Sequence, residues 1–202
     1  MIILGLTGSI GMGKTATAAM FMEAGIPVYD ADAAVHGIYE TGGSAVGPIG
    51  NWLPDVIRNG AIDRAALREH VLNDDGALKK LESIVHPLVG ATQMAFRQSA
   101  LENGEGLVVL DIPLLFETGG DARCDYVAMV TAPAELQRTR VLSRPGADEK
   151  HFEAILAKQL PDAEKRERSD FVISTAFGFD FTRAHVSAII DLMIRLNEGA
   201  ET

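Results

Sequence analysis

Eight consecutive residues, Gly8-Ser9-Ile10-Gly11-Met12-Gly13-Lys14-Thr15, have the types and spacing of a phosphate cradle. Glycines let the backbone curl so that its N–H groups converge on one anion. A helix starting near Lys14 adds the positive end of its dipole. Lys14 reaches toward β and γ phosphates, and Thr15 offers a hydroxyl to Mg²⁺. The segment expected to contact the nucleotide is Gly11, Met12, Gly13, Lys14, Thr15 and Ala16. An apolar strand before the loop and a helix after it supply the context this pattern requires.

Acidic residues recur where such a cradle needs them. Asp30-Ala31-Asp32 follows a short extended run, Pro27–Asp30. Asp32 is the expected base for an acceptor hydroxyl, because a nearby carboxylate can take its proton during phosphoryl transfer. Asp30 is either a neighbour that binds metal through water or the cap of the next helix. Asp111 ends the apolar run Leu107–Leu110, the position from which an acid helps to hold Mg²⁺. His36 lies four residues after Asp32, on the same helical face. His86 precedes Pro87 and can cap a helix or touch substrate. Neither histidine has the further ligands that a metal site needs.

The basic residues concentrate between Arg138 and Arg168. Arg140 and Arg144, four apart on one expected helix, share a face and suit a clamp on the transferring phosphoryl group. A planar guanidinium binds phosphate bidentately, which favours arginine for that work. The mixed-sign run Lys165-Arg166-Glu167-Arg168 reads as a solvated helix face.

These side chains need a scaffold, and the apolar pattern supplies one. Ile2–Thr7 and Leu107–Ile112 are continuous apolar runs, as expected of parallel strands covered on both faces. Tyr126–Thr131 and Phe171–Ile173 are the next strands. Helices are expected from Lys14 to about Ala24, from Arg64 to Leu72 behind an Asp63 cap, and from Pro87 to about Asn103. Others are expected from Pro133 to about Ser143, over Asp148–Leu160 and over Asp180–Asn197. Gly42-Gly43 and Asn59-Gly60 mark turns. Strand, helix, strand in the first thirty residues or so implies a parallel sheet. The expected fold is α/β: a three-layer P-loop kinase with a five-stranded parallel sheet. Residues 1–202 form one domain in this reading, with a helical acceptor-binding insertion at about 40–105 and a helical lid at about 140–165.

Bulk properties agree. The 202 residues are 47% hydrophobic and 23% charged, enough apolar material for a core. A net charge of −10 disfavours nucleic acid as a partner. The one cysteine, Cys124, precludes an intramolecular disulfide and reads as a small half-buried side chain. No basic n-region opens the chain and no run approaches a bilayer span, so the expectation is cytoplasmic. The polar tail Glu198–Thr202 is expected to be disordered. Packing of the last helix on its own core makes a monomer the expectation. An N-K-x-D guanine motif is absent, with Val130-Thr131-Ala132-Pro133 in its place, which disfavours a guanine switch.

Several blocks also occur in the order of a known family. They are Leu6–Thr15, Asp30-Ala31-Asp32 with His36, His86-Pro87-Leu88 and Pro113-Leu114-Leu115-Phe116-Glu117. Arg140, Arg144, Gln159 and Asp170-Phe171-Val172-Ile173 follow. The chain thereby resembles the dephospho-CoA kinases over nearly its whole length. The resemblance implies transfer of the γ-phosphoryl group of ATP, with Mg²⁺, to the 3′-hydroxyl of dephospho-CoA, the last step of coenzyme A synthesis. It implies that Asp32 is the base, that Lys14, Arg140 and Arg144 act on the phosphates, and that His36, His86, Leu115, Phe116 and Glu117 line the acceptor pocket. Two departures stand out. Arg144-Pro145 replaces a common Arg-Asp, and Ser174-Thr175-Ala176-Phe177-Gly178 replaces a common Asp-Asn-Ser-Gly near the adenine. The alternatives are a P-loop kinase acting on a nucleoside or nucleotide, and a non-catalytic nucleotide-binding module.

Overall fold

The computed structural model describes residues 1–72 and 74–199. The chain divides into two compact units: Met1–Tyr29 with the chain from Ala100 onward, and Asp30–Ser99. Asp32, His36 and His86 belong to the second.

The first unit is built on the strands β1 (Ile2–Thr7), β2 (Val28–Asp30), β5 (Leu107–Asp111), β6 (Tyr126–Thr131) and β7 (Phe171–Ser174). They form one five-stranded parallel sheet in the order β2-β5-β1-β6-β7, a P-loop kinase fold. Ile3 pairs with Val108, Leu6 with Ala128 and Thr131 with Ser174. Alternation splits the apolar runs between two faces. Leu4, Leu6, Val109, Ala128, Val130 and Ile173 pack on α1 (Lys14–Glu23) and α9 (Phe179–Gly199) through Phe21, Val186, Ile190 and Met193. Val127 instead packs with Leu115 and Phe116. This explains why the strands read as continuous apolar runs: both faces are covered. The chain leaves β1 for β2 on one side and later crosses from β5 to β6 on the other, so the strand order reverses beside β1. Ligands bind at such a switch point, and the cradle begins there. After β6 come α6 (Ala134–Leu142), α7 (Glu149–Leu156) and α8 (Asp162–Glu167).

The second unit contains α2 (Ala31–Tyr39), α3 (Val46–Trp52), the strands β3 (Ile57–Arg58) and β4 (Ala61–Ile62), α4 (Arg64–Val71) and most of α5 (Asp75–Glu102). Ile38, Ile49, Val56, Ile62, Leu67 and Val85 form its core. Asp63 caps α4 as expected, with Oδ1 accepting from the Ala65 and Ala66 N–H groups.

The structure refines one local expectation and corrects three. Asn59-Gly60 is more than a turn: φ values of 51° and 78° make it the tip of the antiparallel β3–β4 hairpin. Pro87 lies inside α5 rather than opening a helix. Its ring removes one helical hydrogen bond, but Leu81, Ile84, Val85, Leu88 and Val89 all pack on the unit's core and carry the helix through. Helix α7 stops at Leu156, short of Leu160. Glu198 and Gly199 are helical, and the remainder of the tail, residues 200–202, falls outside the described residues.

Candidate active site

The cradle follows β1 and ends on α1, whose N-cap Gly13 has φ 95°. At Gly11, φ is 78° and an added Cβ would lie 2.5 Å from Val141 Cγ2. Glycine is required there both by conformation and by the wall of α6. Met12 carries its side chain away from the loop: it is 3% exposed, joins the main core, and its Sδ accepts from the Ala132 N–H at 3.1 Å. Only its backbone is available to a nucleotide. Thr15, in the first turn of α1, is exposed.

Lys14 and Asp111 meet. Nζ lies 2.5 Å from Oδ1, and the two side chains are 14% and 7% exposed. Strand pairing brings this about, since Leu6 of β1 is in register with Asp111 of β5. The aspartate thereby fixes the position of the lysine ammonium beside the end of β5. The hydroxyl of Thr15 and the carboxylate of Asp111 are hard oxygen donors of the kind Mg²⁺ takes while keeping waters and phosphate oxygens. Among the described residues no cluster of three or more histidine, cysteine or acidic side chains is placed to cage a metal ion.

Arg140 and Arg144 do not share a helix face. Helix α6 ends at Leu142, and Arg144 is exposed in the turn beyond it. Pro145 explains the early stop, because it disfavours helical geometry in the residue before it. The Arg140 guanidinium is pinned, donating to Thr175 Oγ1 and to the Thr175 carbonyl, both at 2.8 Å. The Thr175 hydroxyl in turn donates to the Met12 carbonyl at 2.8 Å. Beside these residues is a cavity of about 280 Å³, lined by Gly13, Ala16, Thr17, Met20, Arg140 and Phe179 among others. Its walls are largely apolar and Phe179 is 69% exposed.

The loop after β5 is turned inward. Leu115 is 0% exposed and Phe116 5%. Glu117 Oε1 accepts from the Leu160 N–H and lies 2.8 Å from Nζ of Lys165. Burial raises the Glu117 pKa, but the Lys165 ammonium and the Leu160 N–H outweigh it and hold the carboxyl below its usual range. Lys165 is fully buried, which corrects the solvated reading at that position, whereas Arg166, Glu167 and Arg168 are exposed as expected. Its neighbours are engaged as well. Arg166 bonds Asp162 and Thr131, while Arg168 pairs with Asp121 and lies 4.4 Å from the centre of the Phe116 ring.

In the second unit, Asp30 caps α2, with Oδ1 accepting from the Ala33 N–H at 2.9 Å. Asp32 is exposed in the first turn of that helix, and His36 one turn later is exposed on the same face. His36 has a partner that spacing did not reveal: Nη1 of Arg64 lies 3.4 Å from its Nδ1. Burial raises the pKa of nearby Tyr39, partly offset by the Arg64 charge. His86 is exposed on α5.

Arg64, beside His36, and Thr175 and Phe179, at the cavity, are residues that motif reading did not single out. Thr175 left a trace, because it sits in the segment that departs from the family pattern. Arg64 could have been noticed as the basic residue directly after a helix cap.

A family model described as dephospho-CoA kinase matches residues 2–178. A dephospho-CoA kinase of Mesorhizobium japonicum is 56% identical over 191 residues, which are 95% of this chain and 96% of the relative. The crystal structure of TT1252 from Thermus thermophilus aligns with a TM-score of 0.82 at 35% identity, covering 94% of this chain and 96% of that one. A dephospho-CoA kinase from Campylobacter jejuni aligns with a TM-score of 0.66 at 22% identity, covering 95% and 96%, a likeness of fold.

Proposed function

The chain belongs to the dephospho-CoA kinase family, and on that premise we propose which of its residues perform the transfer. The enzyme is an ATP-dependent kinase that phosphorylates dephospho-CoA to coenzyme A. The observation that carries the residue assignment is the Lys14–Asp111 pair at the mouth of the glycine loop.

In our reading the β and γ phosphates of ATP settle on the N–H groups of Gly11 to Ala16. Lys14 exchanges its contact with Asp111 for the phosphate oxygens, where its positive charge stabilises the negative charge they carry. Thr15 and Asp111 would hold Mg²⁺, which would neutralise charge on the phosphates when bound. The adenine enters the cavity beside Thr175, with Phe179 and Arg140 as stacking surfaces, since aromatic rings and guanidinium planes both suit a base; this replaces the phosphate role expected of Arg140, whose guanidinium is pinned to Thr175 at that cavity. Arg144, exposed beyond α6, meets the γ-phosphoryl group as it transfers.

Asp32 takes the proton of the 3′-hydroxyl. The acceptor oxygen forms a bond to the γ phosphorus, the bond to the β-phosphate oxygen breaks, and ADP leaves. Arg64 offers positive charge to the acceptor's diphosphate, His36 a hydrogen-bonding ring and His86 a further contact. Leu115 and Phe116 bear on the acceptor through backbone groups, since their side chains are committed to the core. Glu117 acts on that loop indirectly, by anchoring it. We assign residues about 40–105 to the acceptor and about 140–165 to the lid, in a cytoplasmic monomer. The lone cysteine supports that location, and among the described residues no helix is long and apolar enough to cross a membrane.

The test is ADP release with Mg-ATP and dephospho-CoA, set against a panel of nucleosides and nucleotides. Turnover confined to dephospho-CoA is expected. Faster turnover with a nucleotide would contradict the acceptor assignment.

A further inference from the structure

We propose that Gln137 and Gln159 are positioning residues that set the cradle from the two ends of the lid, by gripping opposite sides of Ile10. Gln137 Nε2 donates to the Ile10 carbonyl at 2.7 Å. Gln159 Oε1 accepts from the Ile10 N–H at 3.1 Å. The backbone dictates which end of each amide is used, because a carbonyl only accepts and an N–H only donates. Gln137 is buried in α6, the helix that leads into the lid segment. Gln159 is half-buried where that segment returns, just before Leu160 and Pro161. Thus 149 residues of chain separate Ile10 from Gln159, yet one residue of the cradle is tied to both ends of the lid.

Peptide planarity makes this grip consequential. In a trans peptide the C=O and the following N–H point in opposite directions. Gln137 draws the Ile10 carbonyl toward α6, so the Gly11 N–H is turned the other way, to the concave side of the loop. Gln159 removes the Ile10 N–H from the donors that could face a phosphate. The two glutamines therefore select which N–H groups converge on the anion before nucleotide binds, and preorganised donors cost no reorientation when charge arrives. Any movement of the lid ends is passed to that residue, and nucleotide in the cradle holds the lid ends in place.

The experiment uses the full chain and the variants Gln159→Glu, Gln159→Met, Gln137→Glu and Gln137→Met. Hydrogen exchange of the Ile10 amide is measured by NMR without nucleotide. Exchange should quicken roughly tenfold or more in Gln159→Met, and stay within about threefold of the parent in Gln159→Glu, which keeps the acceptor oxygen. Both Gln137 variants lose the donor and should raise KM for ATP about five- to tenfold, leaving KM for dephospho-CoA within about twofold. A non-hydrolysable ATP analogue should slow tryptic cleavage at Lys150 and Lys158 in the parent but not in Gln159→Met. Equal exchange in Gln159→Met and the parent would overturn the proposal. So would lowered melting temperatures with an unchanged KM for ATP, which is the signature of a structural role alone. If Gln137→Glu fails to fold, Gln137→Met carries that arm, and the exchange comparison at Gln159 decides without either.

Discussion

Arg140 and Thr175 are joined twice, the guanidinium donating at 2.8 Å to both the hydroxyl and the carbonyl oxygen of the threonine. The same hydroxyl donates a hydrogen bond to the Met12 carbonyl. One side chain thus ties the helix after β6, the end of β7 and the phosphate loop together beside the cavity. Thr175→Val keeps the shape and removes the hydroxyl. We expect KM for ATP to rise about fivefold, with a smaller change in kcat, because a charge-assisted and a neutral hydrogen bond are lost together. Initial rates at varied ATP and saturating dephospho-CoA measure it.

Lys14→Ala should lower kcat/KM by at least ~10²-fold, since it removes a positive charge from the phosphates. Asp111→Asn keeps a partner for Lys14 but weakens an oxygen ligand. Its activity should depend more steeply on Mg²⁺ concentration than that of the parent. Rates over a magnesium titration distinguish the two variants.

Asp32→Asn should lower kcat by about 10²-fold or more and leave nucleotide affinity intact, as expected for loss of a general base. Calorimetry with ADP gives the affinity, and steady-state assays give kcat. A kcat within a few-fold of the parent would remove Asp32 from the role of base.

Phe179→Ala should lower the preference for ATP over pyrimidine triphosphates. A stacking surface contributes about 1–3 kcal/mol per base in comparable sites, and a purine presents the larger face. Competition between ATP and CTP in a single assay reads the ratio directly.

Glu117 and Lys165 give a prediction about stability. Removing Glu117 strands a fully buried ammonium, which costs about 3–5 kcal/mol in comparable pairs. Lys165→Met together with Glu117→Gln should recover much of that loss, because glutamine still accepts from the Leu160 N–H. The pH dependence has a definite sign. The folded carboxyl lies below its ordinary value of 4.5, so its contribution is complete above that value and is lost as pH falls through the folded pKa. Urea midpoints taken from about pH 6 down to about pH 3 should fall more steeply for the parent than for the double variant.

The sequence by itself determined the cradle, because each of its functions belongs to eight neighbouring residues and to the strand and helix on either side. It also determined the sheet, because burial on both faces leaves unbroken apolar runs, and β1 and β6 begin and end where the pattern places them. The hairpin at Asn59-Gly60 was legible only as a turn, since its strands are two residues each and too short to show alternation. Tertiary structure decided the rest. Alternating charge at residues 165–168 looks solvated locally, but α8 packs against β6 and the Glu117 loop, so Lys165 is buried against a carboxylate 48 positions away in sequence. Arg140 is separated from Thr175 by 35 residues and Ile10 from Gln137 by 127, and no local pattern carries such pairings. They exist because parallel strands return every chain crossing to the same edge of the sheet, where residues distant in sequence must share the space around one phosphate loop.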